Sequence, residues 1–348
     1  MITHETYMHR CIELAKLGEG SVAPNPMVGA VLVHNDQIIG EGYHRLYGQA
    51  HAEVNCINSV SEENIYLVEK STLYVSLEPC AHFGKTPPCA DLIIKKNIPV
   101  VVIACRDNYE QVNGRGIQKL QAAGIEVITP VLEKDALELN KRFFTFHNQR
   151  RPYIILKWAQ TANQKIARND YSRLFISNEI TNREVHKWRS QEASILVGTT
   201  TALQDDPSLT TRLWPGNNPV RMVVDKELKL PPTLHLFDGT VKTIVFNTIR
   251  QKDMGQVLHY KISNEKSFIT QILAALYELK IQSVLVEGGA TLLQSFIDEN
   301  YWDEARIITN MELEIPAGKK APLLLNAERV STKKILTDTI HYYKHLRS

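Results

Sequence analysis

Two short stretches carry residue types able to do hydrolytic chemistry together. "HAEVNC" at 51–56 sets the imidazole of His51 two positions before the carboxylate of Glu53, and "SLEPCAHFGKTPPC" at 76–89 supplies the thiols of Cys80 and Cys89. Alone, His51-x-Glu53 is an ordinary helix start. Joined to Cys80 and Cys89 it becomes one nitrogen and two sulfur ligands for zinc, with the fourth tetrahedral position open, as in catalytic sites. Zinc brings the pKa of a bound water down to about 7 and so supplies hydroxide at neutral pH. Glu53 is then the proton shuttle and is not itself a ligand.

Position along the chain limits how these groups can meet. Residues two apart do not share a helix face, so His51 and Glu53 reach one pocket only if a helix begins at about His51 and its first turn faces the metal. Cys80 follows the β-rich run "STLYVSLE" (71–78), and Cys89 opens a helix; thiolates at helix N-termini are stabilised by the positive end of the dipole. His-x-Glu followed later by Pro-Cys, here Pro79-Cys80, is the pattern of zinc deaminases. Two other stretches carry no such chemistry. "HETYMH" (4–9) is one residue too long for a metalloprotease motif and reads as a helix face, and "GRGIQK" (114–119) lacks a third glycine and reads as a loop.

The elements around these residues alternate. A helix over about 4–17 precedes "APNPMVGAVLVHNDQIIGEGYH", two strands around a turn at Asn35-Asp36. The strand "PVVVIAC" (99–105) and the helix, turn and strand of "GIQKLQAAGIEVITPV" follow, and "HNQRRP" (147–152) marks a boundary. The second half restarts with strand "YIILKWAQT", helix "NREVHKWRSQ" and strands "ASILVG", "VRMVVD" and "KTIVFN". It continues with helix "FITQILAALYELK", strand "SVLVEGG", helix "ATLLQSFIDEN" and strand "DEARIITN". Alternation of this kind implies α/β sheets covered on both faces. A length of 348 residues suits two domains, expected over 1–147 and 148–348, and an apolar fraction of 43% is ample for their cores. No apolar run approaches a membrane span, and "MITHETYMHRCIELAKLGEG" lacks the basic stretch and apolar core of a secretory signal. The net charge of +2, with scattered cations, argues against a nucleic-acid surface. Five cysteines, an odd number, make no disulfide framework. A cytoplasmic protein with reduced thiols is expected.

"APNPMVGAVLV", "GEGYH", "HAEV", "SLEPCAHFGKTPPC" and "VNGRGIQKLQAAGIEV" resemble the deaminase half of the bifunctional riboflavin-biosynthesis deaminase–reductase family. The eight-residue gap between Cys80 and Cys89 sets the chain apart from cytidine and tRNA-adenosine deaminases, which commonly show Pro-Cys-x-x-Cys. "ILVGTTTALQDDPSLTTR" (195–212) and "VLVEGGATLLQSF" (284–296) are similar to the family's reductase domain. The resemblance implies a cytidine-deaminase-like three-layer α/β/α domain followed by a dihydrofolate-reductase-like α/β domain. It also implies a small-molecule substrate, a diaminopyrimidinone ribosylamine 5′-phosphate, deaminated and then reduced by NADPH to a ribityl chain.

By position, Asn25 and His44 match residues lining the deaminase pocket, and His82 and Lys85 suit a phosphate or ring carbonyl. Ala159, Phe175, Thr201, Asp205, Gly288, Gly289, Ala290 and Thr291 match cofactor contacts, while Arg189, Leu209, Arg212 and Glu287 match substrate contacts. Gly288-Gly289, between a strand and a helix, offers bare amides to a diphosphate. Four departures stand out: Asp107-Asn108-Tyr109-Glu110 where the family has Asp-Pro-x-Pro, Asn163-Gln164 where it has Asp-Gly, Phe175 where it has tryptophan, and Arg173 in place of a serine. An alternative is a deaminase whose second half is a non-catalytic binding or oligomerisation module. A nucleic-acid editing protein is disfavoured by the absence of a basic, aromatic-lined stripe. No cation for a 2′-phosphate stands out in the sequence; the oligomeric state cannot be read from it, although an α/β domain with a cofactor site at its edge often forms a homo-oligomer.

Overall fold

In the computed structural model, which describes residues 3–83, 87–107, 114–170 and 172–346, Asn35 and Asp36 both take left-handed angles, φ 47° and 61°. They close a two-residue hairpin between β1 (Gly29–His34) and β2 (Gln37–Tyr43), whose last pair is His34 with Gln37. Such turns match the twist of the flanking strands. The sheet grows from β1 through β3 (Thr72–Val75), β4 (Val100–Ile103) and β5 (Glu126–Ile128), in the order β2-β1-β3-β4-β5. β1 is antiparallel to both neighbours, whereas β3, β4 and β5 run parallel.

Alternation along these strands sets two helical layers. The helices are α1 (His4–Lys16), α2 (Ala52–Asn58), α3 (Cys89–Lys95), α4 (Arg115–Ala122), α5 (Glu133–Leu139) and α6 (Lys141–Gln149). Val31, Val33, Tyr74 and Val102 pack with residues of α1, α5 and α6. Their sequence neighbours Ala30, Leu32, Leu73, Val75, Val101 and Ile103 pack with α2, α3 and α4 on the opposite face. The result is a three-layer α/β/α unit spanning Met1–Arg150. "GRGIQK", expected as a loop, is corrected: only its first glycine lies outside α4, because buried acceptors from elsewhere complete the helix's N-terminus.

The second unit, Arg151–Ser348, is built on β6 (Tyr153–Thr161), β7 (Lys165–Ala167), α7 (Glu179–Gln191), β8 (Ser194–Gly198), α8 (Thr199–Asp205), β9 (Val220–Val224), β10 (Thr243–Asn247), β11 (Lys252–Asp253) and β12 (Val257–Lys261). It continues with α9 (Phe268–Glu278), β13 (Ser283–Val286), α10 (Ala290–Asp298), β14 (Glu304–Asn310), β15 (Lys319–Lys320), β16 (Ala327–Ile335) and β17 (Asp338–His345). The main sheet has the order β11-β12-β10-β9-β8-β13-β6-β14-β17-β16. From β12 through β14 every pairing is parallel. Parallel strands covered on both faces read as continuous apolar runs. Accordingly Ile154, Leu156, Leu196 and Met222 bury against α9 and α10, while Ile155, Ile195, Val223 and Leu285 bury with residues of α7 and α8.

Candidate active sites

Gly40 and Gly42 let α2 lie directly on β2, since a Cβ at Gly42 would stand 2.2 Å from the Cys56 backbone nitrogen. That packing fixes where α2 begins. His51 is its N-cap, with extended backbone (φ −73°, ψ 169°), and Glu53 lies in the first turn. The His51 Nδ1 stands 3.4 Å from the Cys89 Sγ and 3.6 Å from the Cys80 Sγ, and the three donor atoms lie within 4.8 Å of one another. Tetrahedral ligands at about 2.3 Å (S) and 2.0 Å (N) from zinc stand roughly 3.6 Å apart, so the donor set fits zinc with one position left over. At the start of α3, the Cys89 N–H donates to the Cys80 Sγ (3.3 Å) and the Ala90 N–H to the Cys80 carbonyl (3.1 Å).

Glu53 is only 3% exposed. Burial pushes its carboxyl up to about 7, and the negative charge of Cys80 adds to the effect. Hydrogen bonding from the Cys89 thiol, then from His51, holds Cys80 well below the ordinary thiol range. His44 is buried, with its ring centroid 5.4 Å from that of His51. Burial lowers its pKa, so the ring is neutral: Nδ1–H donates to the Ala50 carbonyl (3.1 Å) and Nε2 accepts from the Asn25 amide (3.2 Å). The structure thus brings Asn25, His44, His51, Glu53, Cys80 and Cys89 together. His82 is exposed in the stretch between the cysteines; Lys85 and Asn108-Tyr109-Glu110 lie outside the described residues.

Glu78 is a supporting residue that the sequence did not single out. Its buried carboxylate accepts from the backbone N–H groups of Asp107 (3.2 Å), Gly114 (3.0 Å), Gly116 (2.9 Å) and Ile117 (3.3 Å). It therefore caps α4 from a distance and ties that helix to the segment carrying Cys80. Gly116 completes the contact, because a Cβ there would stand 2.0 Å from the Pro79 carbonyl oxygen.

In the second unit, the ends of β8, β9 and β13 frame a cleft of about 400 Å³. Gly288 has φ 123°, a conformation suited to glycine, and Gly289 is the N-cap of α10. A Cβ at Gly289 would stand 3.0 Å from the Thr201 Oγ1, so the bare backbone leaves room for an anion such as a diphosphate to approach the N-terminus of α10. Thr201, Gly289 and Thr291 line this cleft, whereas Ala159, Phe175 and Asp205 do not. Ala290 is buried in the first turn of α10. Phe175 is exposed, with the Arg173 guanidinium 4.9 Å over its ring. Burial pushes the Asp205 carboxyl up while the Arg173 charge pulls it back.

Of the expected substrate residues, Arg189 meets Glu287 at the end of β13, and the Arg212 charge acts on Arg189 and His186. Arg189, in the last turn of α7, grips both carboxylate oxygens at 2.8 Å and donates to the Thr210 carbonyl at 3.2 Å. Lys157 of β6 stands 3.6 Å from the same carboxylate. Burial alone would raise Glu287, but Arg189 and Lys157 outweigh it and hold it at about 2. For Lys157 burial wins, and its pKa falls; Arg189 is the stronger partner. His186, pushed down to about 4 by burial and then by Arg189 and Arg212, accepts the Leu213 N–H (3.4 Å). Leu209 is buried with φ 52°. Lys157 and His186 are further residues that sequence reading passed over.

The departure at Asn163-Gln164 is accommodated locally. Gln164 takes the left-handed conformation itself (φ 58°). Asn163 accepts from the Thr161 hydroxyl (2.6 Å) and donates to the Ile315 carbonyl (2.8 Å), while the Lys165 N–H donates to the Thr161 Oγ1 (3.0 Å).

Known proteins match both units. Residues 1–105 match the cytidine and deoxycytidylate deaminase zinc-binding region, and residues 152–310 match the RibD C-terminal domain. The riboflavin biosynthesis protein RibD of Bacillus amyloliquefaciens is 40% identical over 339 residues, covering 95% of this chain and 90% of that protein. The RibD of Aquifex aeolicus is 40% identical over 304 residues, covering 86% and 84%. Among solved structures, the diaminohydroxyphosphoribosylaminopyrimidine deaminase/5-amino-6-(5-phosphoribosylamino)uracil reductase of Thermotoga maritima is similar with a TM-score of 0.89 at 35% identity, covering 98% of both chains.

Proposed function

The chain belongs to the RibD family and is a bifunctional deaminase and reductase of riboflavin biosynthesis, and from that premise we propose how its residues divide the work. We assign deamination to residues 1–147 and reduction to residues 148–348. The observation that carries the first assignment is the convergence of His51, Cys80 and Cys89 on one point beside a buried carboxyl.

His51, Cys80 and Cys89 would hold zinc, which when bound supplies a water that ionises at neutral pH. Glu53, whose carboxyl is raised by burial, would hold a proton on its carboxylate and pass it to the departing amine, the work of a general acid–base. Asn25, oriented by His44, keeps its carbonyl oxygen and second N–H for the pyrimidine ring. His82 and Lys85 serve the phosphate or ring carbonyl. The substrate is the pyrimidine named for the Thermotoga maritima protein.

NADPH would lie on Gly288, Gly289 and the first turn of α10, against Thr201 and Thr291 of the cleft, with Ala159, Phe175, Asp205 and Ala290 assigned to the part of its site outside that cleft, and when bound supplies a hydride. Arg189 is committed to Glu287, which leaves Arg212 as the cation for the substrate phosphate. The Arg189–Glu287–Lys157 cluster, together with Leu209, fixes the sugar's position. Among the described residues no helix is long and apolar enough to cross a membrane. Separately, we take the enzyme to be cytoplasmic and to form a homo-oligomer, with a small molecule as its partner and neither nucleic acid nor membrane.

Purified protein given the deaminated uracil phosphate and NADPH should oxidise the cofactor, followed by absorbance. Failure to do so, in protein that still deaminates, would favour a second half without catalysis and overturn the reductase assignment.

A further inference from the structure

We propose that Lys226, held over the ring of Phe268, is the residue by which this enzyme selects a dinucleotide carrying a phosphate on the adenosine 2′-oxygen. The inference rests on reading the cleft at β8, β9 and β13 as the NADPH site.

The argument starts at the end of β9. Asp225, the first residue beyond that strand, is where an acidic side chain would bind the free 2′-hydroxyl of an unphosphorylated dinucleotide and repel a phosphate. Here it is withdrawn from that work. Asp225 is 3% exposed, and its two oxygens accept the backbone N–H groups of Lys229 (3.0 Å) and Leu230 (2.9 Å). Glu227, the other nearby carboxylate, is paired with Lys229. Both acids in this turn are therefore engaged, and so is one of its two lysines.

Lys226 is left. Its ammonium lies 4.6 Å from the centroid of Phe268, at the start of α9. Among the described residues it has no carboxylate within ion-pair distance. The ring attracts the cation without neutralising it, so the ammonium is held in place with its charge available. Lys226 and Phe268 line the cleft with Gly289 and Thr201; Asp225, Glu227 and Lys229 line it too, but with the Asp225 oxygens bound to backbone N–H groups and Glu227 paired with Lys229.

Spacing agrees with this role. β9 and β13 flank β8, and neighbouring strands are about 4.8 Å apart, which puts the end of β9 roughly 10 Å across from Gly289. A diphosphate on the Gly289 side would place the adenosine ribose of an extended dinucleotide over β9, one sugar away. A lysine at that point meets a phosphate as a compact charge. Lys319 also lines the cleft, from the short strand β15, and serves as the internal comparison.

The test is calorimetric binding of 2′,5′-ADP and 5′-ADP, with NADPH and NADH in parallel, to the full-length protein. Wild type should bind the 2′-phosphorylated member of each pair about ten- to hundredfold more tightly, the range of one charge-assisted contact. Lys226→Ala should collapse that ratio to near unity by weakening only the phosphorylated ligands. Lys226→Arg should keep the ratio, and Phe268→Leu should reduce it. The inference is overturned if Lys226→Ala leaves the ratio intact, weakens both members equally, or if Lys319→Ala carries the loss instead. If wild type binds none of the four ligands, the reading of the cleft falls first and takes this inference with it.

Discussion

Replacing Glu287 with glutamine keeps the shape of the side chain and removes the charge on which Arg189 and Lys157 converge. The structure sets the scale. The Glu287 carboxyl is held at about 2, against 4.5 for an unperturbed glutamate, and each unit of difference is worth about 1.4 kcal/mol. The ionised group therefore contributes about 3 kcal/mol at neutral pH, and removing one partner from a buried pair typically costs 3–5 kcal/mol. Because the folded-state pKa is depressed, that stability is present above pH 4.5 and is lost as pH falls toward 2. It should be smaller by about 1 kcal/mol at pH 4 and about 2 kcal/mol at pH 3. All four tryptophans, Trp158, Trp188, Trp214 and Trp302, lie in the second unit, so urea unfolding followed by tryptophan fluorescence reports on that unit. Glu287→Gln should unfold about 3 kcal/mol more easily than wild type at pH 7, the gap narrowing below pH 4.5, with reduction impaired and deamination intact. A variant as stable as wild type at pH 7, or a deficit constant from pH 7 to pH 3, would refute the electrostatic account of this cluster.

Glu53→Gln should keep zinc, measured by metal analysis, while deamination falls by about 10²–10⁴, the usual contribution of a general acid–base; ordinary turnover would falsify the assigned role. Chelating the zinc should abolish deamination and spare oxidation of NADPH with the deaminated substrate, and loss of both activities would show that the two sites are not chemically separate. Gly116→Ala pushes a methyl against the Pro79 carbonyl and should cost about 1–3 kcal/mol, with a measurable fall in zinc affinity; unchanged zinc binding would break the proposed link between α4 and Cys80. Gln164→Gly relieves a left-handed glutamine and should stabilise the second unit by up to about 1 kcal/mol, whereas a marked loss of stability would mean that its side chain does more than complete the turn.

The sequence reveals most where one physical constraint acts on consecutive residues. "SILVG", "VRMVV", "TIVFN" and "SVLV" read as strands because both faces of a parallel sheet exclude water, and each forms one. The hairpin of β16 and β17 was passed over for two reasons. Its turn, Leu336-Thr337, contains no glycine, asparagine or aspartate although Leu336 has φ 52°, and β16 is mostly exposed, so no apolar alternation marks it. The start of α2 was legible for a different reason. His51 and Glu53 can share a pocket only across a helix boundary, and the structure puts His51 at the N-cap.

The two sites differ in legibility because they differ in how far apart their parts lie. The zinc ligands come from two short motifs whose residue types are rare and whose spacing is constrained, so chemistry and position point the same way. Around Glu287, Lys157 comes from β6, Arg189 from α7 and Glu287 from β13, and each is a common residue type in an ordinary context. Only parallel pairing of β6 with β13, in register at Leu156 and Val286, brings Lys157 within reach of Glu287. Glu78 and Lys226 show the same limit in another form. Glu78 acts on backbone amides, which no side-chain pattern announces. Lys226 reads as one solvated charge in "DKELK" until Asp225 is seen to be turned inward and Phe268 beneath the ammonium. A residue whose role is set by what its neighbours have been withdrawn from can be recognised only when the neighbours' hydrogen bonds are known.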